Sequence, residues 1–246
     1  MKLADAFSRR LKNQGAVAIV LWGSRVLGDA YKESDVDIQV LGKGPSYILE
    51  RYRGHLLSVS WRTREEVLDS FKDPSQVCGI IPAWRRALII HDPQGIARML
   101  KQEAERWKWK PFNKEAQKWV AEQVTGYAEE VQRLVGSLQL ERRSIAGVVR
   151  SLLAIHMAPI MAVRYRIFYD TENQLWNLVS TKMGTEWASA QKASLGMNGE
   201  TFEETCKAAL ELFILTARRI KPLLDSRQRA VISHSCSAAS QLLTRR

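Results

Sequence analysis

The sequence predicts an α+β fold in which a small α+β domain precedes an all-helical bundle. In the first 110 residues, short apolar runs typical of strands alternate with amphipathic stretches typical of helices. After Lys110-Pro111, apolar residues recur at helical spacing and the strand pattern disappears. A chain of 246 residues with 46% hydrophobic residues can form one large domain or two modest ones. We therefore predict two domains, residues 1–110 and residues 111–246.

The first domain is predicted to contain strands separated by helices and turns. Thr63 and Glu66 have the spacing of a capping box, in which each side chain bonds a backbone amide at a helix start. A helix is therefore expected to begin after Thr63. The strands are predicted at residues 16–22, 35–41, 55–61 and 87–90, and the other helices at 3–13, 47–52 and 94–107.

The second domain is predicted to be a bundle of long helices. Its apolar residues fall three and four positions apart, which places them on one face of a helix. The second of its apolar stretches is more broadly apolar, and Pro159 is expected to kink that helix. The helices are predicted at residues 114–138, 144–168, 202–224 and 226–243.

The chain is basic, with a formal net charge of +11 at pH 7. Such a charge favours anionic partners such as nucleotides, nucleic acid or phosphorylated metabolites through long-range attraction. The alternative is a solvated basic surface, since the arginine pairs are scattered along the chain. The sequence has no zinc-finger spacing and no aromatic RNA-binding signature, so a nucleic-acid partner has no motif in its favour.

The sequence also indicates the cellular compartment in which the protein is expected. It contains no run of 18 consecutive apolar residues, the length that a membrane span requires, so we expect no membrane partner. Cys78, Cys206 and Cys236 are too widely spaced to predict a disulfide framework or a metal cluster. We therefore predict a reduced, cytoplasmic environment.

The most informative motif combines a Gly-Ser turn with two nearby carboxylates. Gly23-Ser24 follows the first predicted strand, and Asp35 and Asp37 lie at the start of the second. Residues i and i+2 of a strand point to the same face, so the two carboxylates are expected to project together. Two hard oxygen ligands beside a turn that admits a phosphate predict a Mg²⁺–nucleotide site. The alternative is a solvent-facing hairpin that carries the two aspartates by chance.

This arrangement resembles the nucleotidyltransferase superfamily of the DNA polymerase β fold. That family has Gly-Ser or Gly-Gly after an apolar residue, then about ten residues, then acid-apolar-acid-apolar, as in Asp35-Val36-Asp37-Ile38. The run from Gly23 to Asp35 is similar to the small bacterial branch that contains antibiotic nucleotidyltransferases. The likeness covers residues 17–41 and, more loosely, 54–107. It implies a nucleotidyltransferase-type mixed sheet with flanking helices in the first domain.

The resemblance also implies an activity and assigns roles to residues. Enzymes of this family transfer a nucleoside monophosphate from a nucleoside triphosphate, here expected to be ATP, to an acceptor and release pyrophosphate. The resemblance makes Asp35 and Asp37 the catalytic ligands of a Mg²⁺ pair. The implied nucleotide-binding residues are those of the turn and its basic neighbours, Gly23, Ser24, Arg25 and Lys32.

The family places a third acid on the neighbouring strand, and here that position aligns with Ser58. A hydroxyl is a poor metal ligand and is no general base at neutral pH. Three explanations stay open: the chain is catalytically weakened, an acid from elsewhere substitutes, or the alignment of this strand is shifted. The candidate substitutes are Glu65, Glu66, Glu129, Glu130 and Asp170.

We expect an enzyme that modifies a hydroxyl of a small-molecule acceptor. A chain of charge +11 is poorly suited to a polycationic acceptor such as an aminoglycoside, so an uncharged or anionic acceptor is favoured. One alternative is a nucleotide-binding or regulatory module that lacks the third carboxylate. Another is an RNA-directed transferase, for which the net charge is the supporting observation.

Overall fold

The computed structural model describes residues 2–28 and 30–244, with side chains from Phe7 onward. The chain divides into two compact units. The N-terminal unit runs to Trp109 and also includes Phe168–Glu172. The helical unit comprises Lys110–Ile167 and the chain from Asn173 onward. A short segment distant in sequence therefore belongs to the N-terminal unit, which the sequence did not predict.

The N-terminal unit contains a five-stranded mixed sheet in the order β3-β4-β2-β1-β5. Its strands are β1 (Ala18–Trp22), β2 (Val36–Leu41), β3 (Tyr47–Tyr52), β4 (His55–Arg62) and β5 (Leu88–His91). Strands β2 and β4 are parallel, whereas the other neighbours are antiparallel. The predicted α+β class and mixed sheet are confirmed. The helix predicted at residues 47–52 is wrong, because this segment pairs along its whole length with β4 as an edge strand.

Five described helices flank the sheet. They are α1 (Lys2–Asn13), α2 (Ser24–Leu27), α3 (Arg64–Ser70), α4 (Val77–Arg86) and α5 (Ile96–Arg106). Both hydrogen bonds of the predicted capping box at Thr63 and Glu66 are present. Helix α4 was not predicted from the sequence.

One hydrophobic cluster of the N-terminal unit lies on one face of the sheet. Buried residues of β1, β2 and β4 pack there together with Phe7 and Leu11 of α1. Because neighbouring residues of a strand face opposite ways, the residues between them belong to the other face. Burial of Ile38 and Val59 thus assigns Asp37 and Ser58 to the opposite face.

The helical unit is built around α10, whose side chains are buried along most of its length. Its helices are α6 (Trp109–Gln139), α7 (Arg143–Tyr165), α8 (Glu172–Met183), α9 (Thr185–Ser194), α10 (Phe202–Ile220) and α11 (Ser226–Thr244). Helices α8 and α9 were not predicted. In the described part of the chain, α7 is the one helix whose length and composition would suit a membrane span. Half of its most apolar stretch is buried, as in a core helix of a folded domain.

Candidate functional site

The turn after β1 is shaped by Gly23. This residue has φ 72° and ψ −167°, a conformation that is essentially restricted to glycine. A Cβ built at this position would overlap Asp37 Oδ2 and lie 3.0 Å from Asp37 Cγ. Glycine is therefore required at residue 23 both by the backbone conformation and by the approach of the Asp37 carboxylate.

The two predicted carboxylates lie at the start of β2. Asp35 precedes the strand by one residue, and Asp37 is its second residue. The β1–β2 register pairs Asp37 with Trp22, the last residue of β1. This pairing explains why the turn that begins at Gly23 meets the Asp37 side chain. The structure thus brings Gly23 and Asp37 together, as expected from the motif.

The environment of Asp37 opposes its negative charge. Burial and the charge of Asp35 raise the pKa of Asp37 from 3.8 to about 6, while a hydrogen bond from Ser58 lowers it. A divalent cation shared by two carboxylates would relieve such repulsion, and hard oxygen atoms are the ligands that Mg²⁺ prefers. The donor chemistry of Asp35 and Asp37 therefore fits a divalent metal ion.

This ligand set contains two acids rather than three. Among the residues that the structure describes, no group of three or more His, Cys, Asp or Glu side chains could hold a metal ion. The remaining coordination positions would have to be filled by water or by oxygen atoms of the nucleotide.

Ser58 lies directly beside Asp37. The parallel register of β2 and β4 pairs these two residues, and their side chains share one face of the sheet. Ser58 Oγ is also 3.4 Å from the hydroxyl of Tyr47 on β3. A neutral hydroxyl therefore occupies the position where the family resemblance implies a third acid.

Four of the five proposed substitute acids have other partners or are exposed. Glu66 accepts a hydrogen bond of 2.6 Å from the backbone amide of Thr63, and Glu65 lies exposed in the same helical turn. Glu129 and Glu130 belong to the helical unit, where both pair with Arg133. Neither these three contacts nor the exposure of Glu65 supports a role beside Asp37.

Asp170 is the candidate acid that the structure brings to the Gly23 turn. Its segment belongs to the N-terminal unit, and its side chain lines a small pocket together with Gly23 and Pro82. Asp170 Oδ1 is 2.7 Å from Arg86 Nε on α4, and Arg86 lines the same pocket. The sequence could not reveal that Arg86 lines this pocket and pairs with Asp170, because the two residues are more than eighty positions apart.

The other predicted nucleotide-binding residues lie on α2, directly after Gly23, and on the segment that precedes β2. Ser24 is the half-buried first residue of α2, and Lys32 is exposed on the segment that precedes β2. Arg25 follows Ser24 on α2, and its guanidinium donates hydrogen bonds to backbone carbonyls of residues 32, 34 and 35. The Arg25 side chain therefore bonds the backbone of the segment that contains Asp35.

Comparison with known proteins identifies a family and a similar fold. The sequence model of the nucleotidyltransferase domain family matches residues 1–144. The fold is similar to that of a nucleotidyltransferase-like protein from Exiguobacterium sibiricum 255-15, solved by crystallography. The TM-score is 0.53 at 11% identity, over 99% of this chain and 80% of that one, so this likeness concerns the fold alone. No curated protein matched the chain.

The family match covers the Gly23 turn, both carboxylates and the complete sheet. The superfamily predicted from Gly23-Ser24 and Asp35–Asp37 is confirmed. The match extends over more than half of the 246 residues. The chain therefore belongs to the nucleotidyltransferase domain family, whose general activity is nucleotidyl transfer.

Proposed function

We propose that this protein is a Mg²⁺-dependent nucleotidyltransferase that transfers a nucleoside monophosphate, with ATP as the expected donor, to a small-molecule acceptor. The observation that supports it most is the contact between the Gly23 turn and the Asp37 carboxylate, with Asp35 beside it. These residues combine a metal-binding pair with a turn free of side-chain bulk. That combination suits a triphosphate whose oxygen atoms must approach both the metal and the backbone.

In the proposed reaction, an acceptor hydroxyl attacks the α-phosphorus of the nucleotide. A new P–O bond forms, the bond to pyrophosphate breaks, and the hydroxyl proton passes to solvent or to a base. Bound Mg²⁺ would neutralise charge on the triphosphate. Asp35 and Asp37 would hold the metal, whether one ion or the expected pair, while Gly23 and Ser24 contact the β- and γ-phosphates and Lys32 adds positive charge.

We assign residues 1–110 to nucleotide and metal binding and residues 111–246 to acceptor binding. The net charge of +11 supports an uncharged or anionic acceptor, since a polycation would be repelled at long range. A cytoplasmic location is supported by three free cysteines, two of them buried. A reducing compartment keeps such thiols unpaired.

A second candidate function is a nucleotide-binding or regulatory module with little or no transfer activity. The observation in its favour is Ser58, which stands beside Asp37 where a third carboxylate would complete the acid set. Such a module would bind Mg²⁺–ATP through the same two carboxylates but would lack a base for the acceptor hydroxyl.

Calorimetry followed by an activity assay separates the two functions. Mg²⁺–ATP is first titrated into the protein, and pyrophosphate release is then measured with pooled hydroxylated acceptors. Binding together with acceptor-dependent release supports the transferase, whereas binding without release from any pool supports the module. Absence of Mg²⁺–ATP binding would contradict both.

A further inference from the structure

The guanidinium of Arg25 joins α2 to the segment that leads into β2. Its Nε–H group donates to the carbonyl oxygens of Ser34 at 3.1 Å and of Asp35 at 3.0 Å. Its Nη2 group donates to the carbonyl of Lys32 at 3.4 Å and also to that of Ser34. One side chain thus connects the helix that follows Gly23 to three backbone carbonyls.

Asp35, which accepts one of these hydrogen bonds, lies just outside the sheet. The β2–β4 pairing begins at Val36, and the β1–β2 pairing ends at Asp37. Asp37 is therefore held by neighbouring strands on both sides, whereas Asp35 is not part of either ladder. The hydrogen bond from Arg25 reaches the Asp35 carbonyl itself. Arg25 thus bonds the member of the carboxylate pair that lies outside the strand pairing.

The turn before Asp35 is closed by hydrogen bonds within it. The Ser34 amide donates to the carbonyl of Tyr31 at 3.1 Å, and the Tyr31 amide donates to Ser34 Oγ at 2.9 Å. These bonds fix residues 31–34 relative to one another. Arg25 supplies a link between this turn and the helix that begins after Gly23.

We propose that Arg25 is a positioning residue for the metal site, which holds Asp35 beside Asp37 and does not itself contact the nucleotide. This inference rests on the proposed function, because the two carboxylates are the proposed metal ligands. It differs from the direct nucleotide contact predicted for Arg25 from the sequence. A guanidinium that moved to a phosphate would leave the carbonyls of Ser34 and Asp35 without this donor.

Mn²⁺ binding measured by electron paramagnetic resonance tests the metal-site role. Arg25→Ala is expected to weaken Mn²⁺ binding in the presence of ATP by about 10-fold or more, the usual effect of losing a residue that orients a metal ligand. Arg25→Lys should be intermediate, since an ammonium donates from a single point. Affinity for ATP in EDTA should stay within about twofold of wild type, because no phosphate contact is lost. Arg106→Ala, which removes the same charge from an exposed side chain at the end of α5, is the control.

Hydrogen exchange of the metal-free protein tests the link itself. Amides of residues 31–37 should exchange faster in Arg25→Ala, and to a lesser degree in Arg25→Lys, while the strand amides of β1 stay protected. Unchanged Mn²⁺ affinity in Arg25→Ala would overturn the proposal. An equal loss of ATP affinity with and without metal would also overturn it, since that result indicates a direct phosphate contact.

The same experiments distinguish failure of the proposed function from failure of the positioning role of Arg25. If wild-type protein bound no Mn²⁺ in the presence of ATP, the metal site and the role of Arg25 in it would both be rejected. Faster exchange in Arg25→Ala would then show that the link exists without a metal site. Wild-type metal binding combined with unaltered exchange in Arg25→Ala would reject the link alone.

Discussion

The Asp37 carboxylate occupies the space that a side chain on residue 23 would need, so Gly23 and Asp37 are mutually dependent. The contact follows from the β1–β2 register, which brings the end of one strand to the beginning of the other. Because residue 23 carries no side chain, a metal ion held by the Asp37 carboxylate would stay open to phosphate oxygens on the side of this turn. The proposed activity depends on this proximity.

Gly23→Ala is expected to abolish Mg²⁺–ATP binding and to destabilise the protein. The methyl group would collide with Asp37 and would also be forced into a positive-φ conformation, at a total cost of about 2–4 kcal/mol. Gly54→Ala is the matched control, because Gly54 has φ 84° and nothing within 4 Å of an added Cβ. The measurements are thermal denaturation and calorimetry. Equal destabilisation of both variants, with ATP binding kept, would contradict the role of Gly23.

Without divalent ions, Asp37→Asn should raise the melting temperature at pH 8 and change it little at pH 4 or below. The folded-state pKa of about 6 exceeds the ordinary value of 3.8, so ionisation of Asp37 opposes folding as the pH rises between these values. Partial exposure screens this penalty, and we expect about 1 kcal/mol, or about 2–4 °C. Melting in EDTA across this pH range checks the prediction, with exposed Asp69→Asn as control. An equal shift at every pH would refute it.

Ser58→Asp is expected to increase pyrophosphate release by about 10-fold or more if a suitable acceptor is present. The new carboxylate would lie beside Asp37 in the β2–β4 register and would supply a metal ligand or a general base. Without metal, the same variant should be less stable because a further negative charge adjoins Asp37. Ser58→Ala controls for loss of the hydroxyl. Unchanged release from a folded, metal-binding Ser58→Asp protein would argue against this position for the third acid.

Asp170→Asn should leave pyrophosphate release within about twofold of wild type and cost about 0.5–1 kcal/mol of stability. The reason is that Asp170 Oδ1 lies 2.7 Å from Arg86 Nε, and we expect the carboxylate to serve this ion pair rather than proton transfer. Activity assays and thermal denaturation test this expectation. A drop in release of more than about 10-fold, with Mg²⁺–ATP binding intact, would instead identify Asp170 as the substitute acid.

Much of the fold follows from local sequence patterns. The elements that were predicted wrongly or missed have identifiable physical causes. Buried strands such as β2 are apolar and were predicted within one or two residues. Strand β3 was predicted as a helix because it is an edge strand with alternating exposure, and its identity depends on pairing with β4. Helix α4 was missed although its buried residues fall at helical spacing, and it carries Pro82, a residue type disfavoured in helix interiors.

The candidate site was predictable where its residues form a local motif. Gly23, Asp35 and Asp37 lie within fifteen positions and carry the family pattern. The contacts of Arg25 were not predictable, because its partners are backbone carbonyls that leave no mark on the sequence. Asp170 was proposed as an acid, but its pairing with Arg86 required the three-dimensional fold.

The most direct test of the metal–nucleotide site is a crystal structure of the protein with Mn²⁺ and a non-hydrolysable ATP analogue. The account predicts an anomalous-scattering peak coordinated by Asp35 and Asp37, with the triphosphate against the Gly23-Ser24 turn. An Asp37→Asn crystal treated in the same way should lack the peak. A wild-type crystal with the analogue bound elsewhere, or with no metal between the two carboxylates, would contradict the central claim.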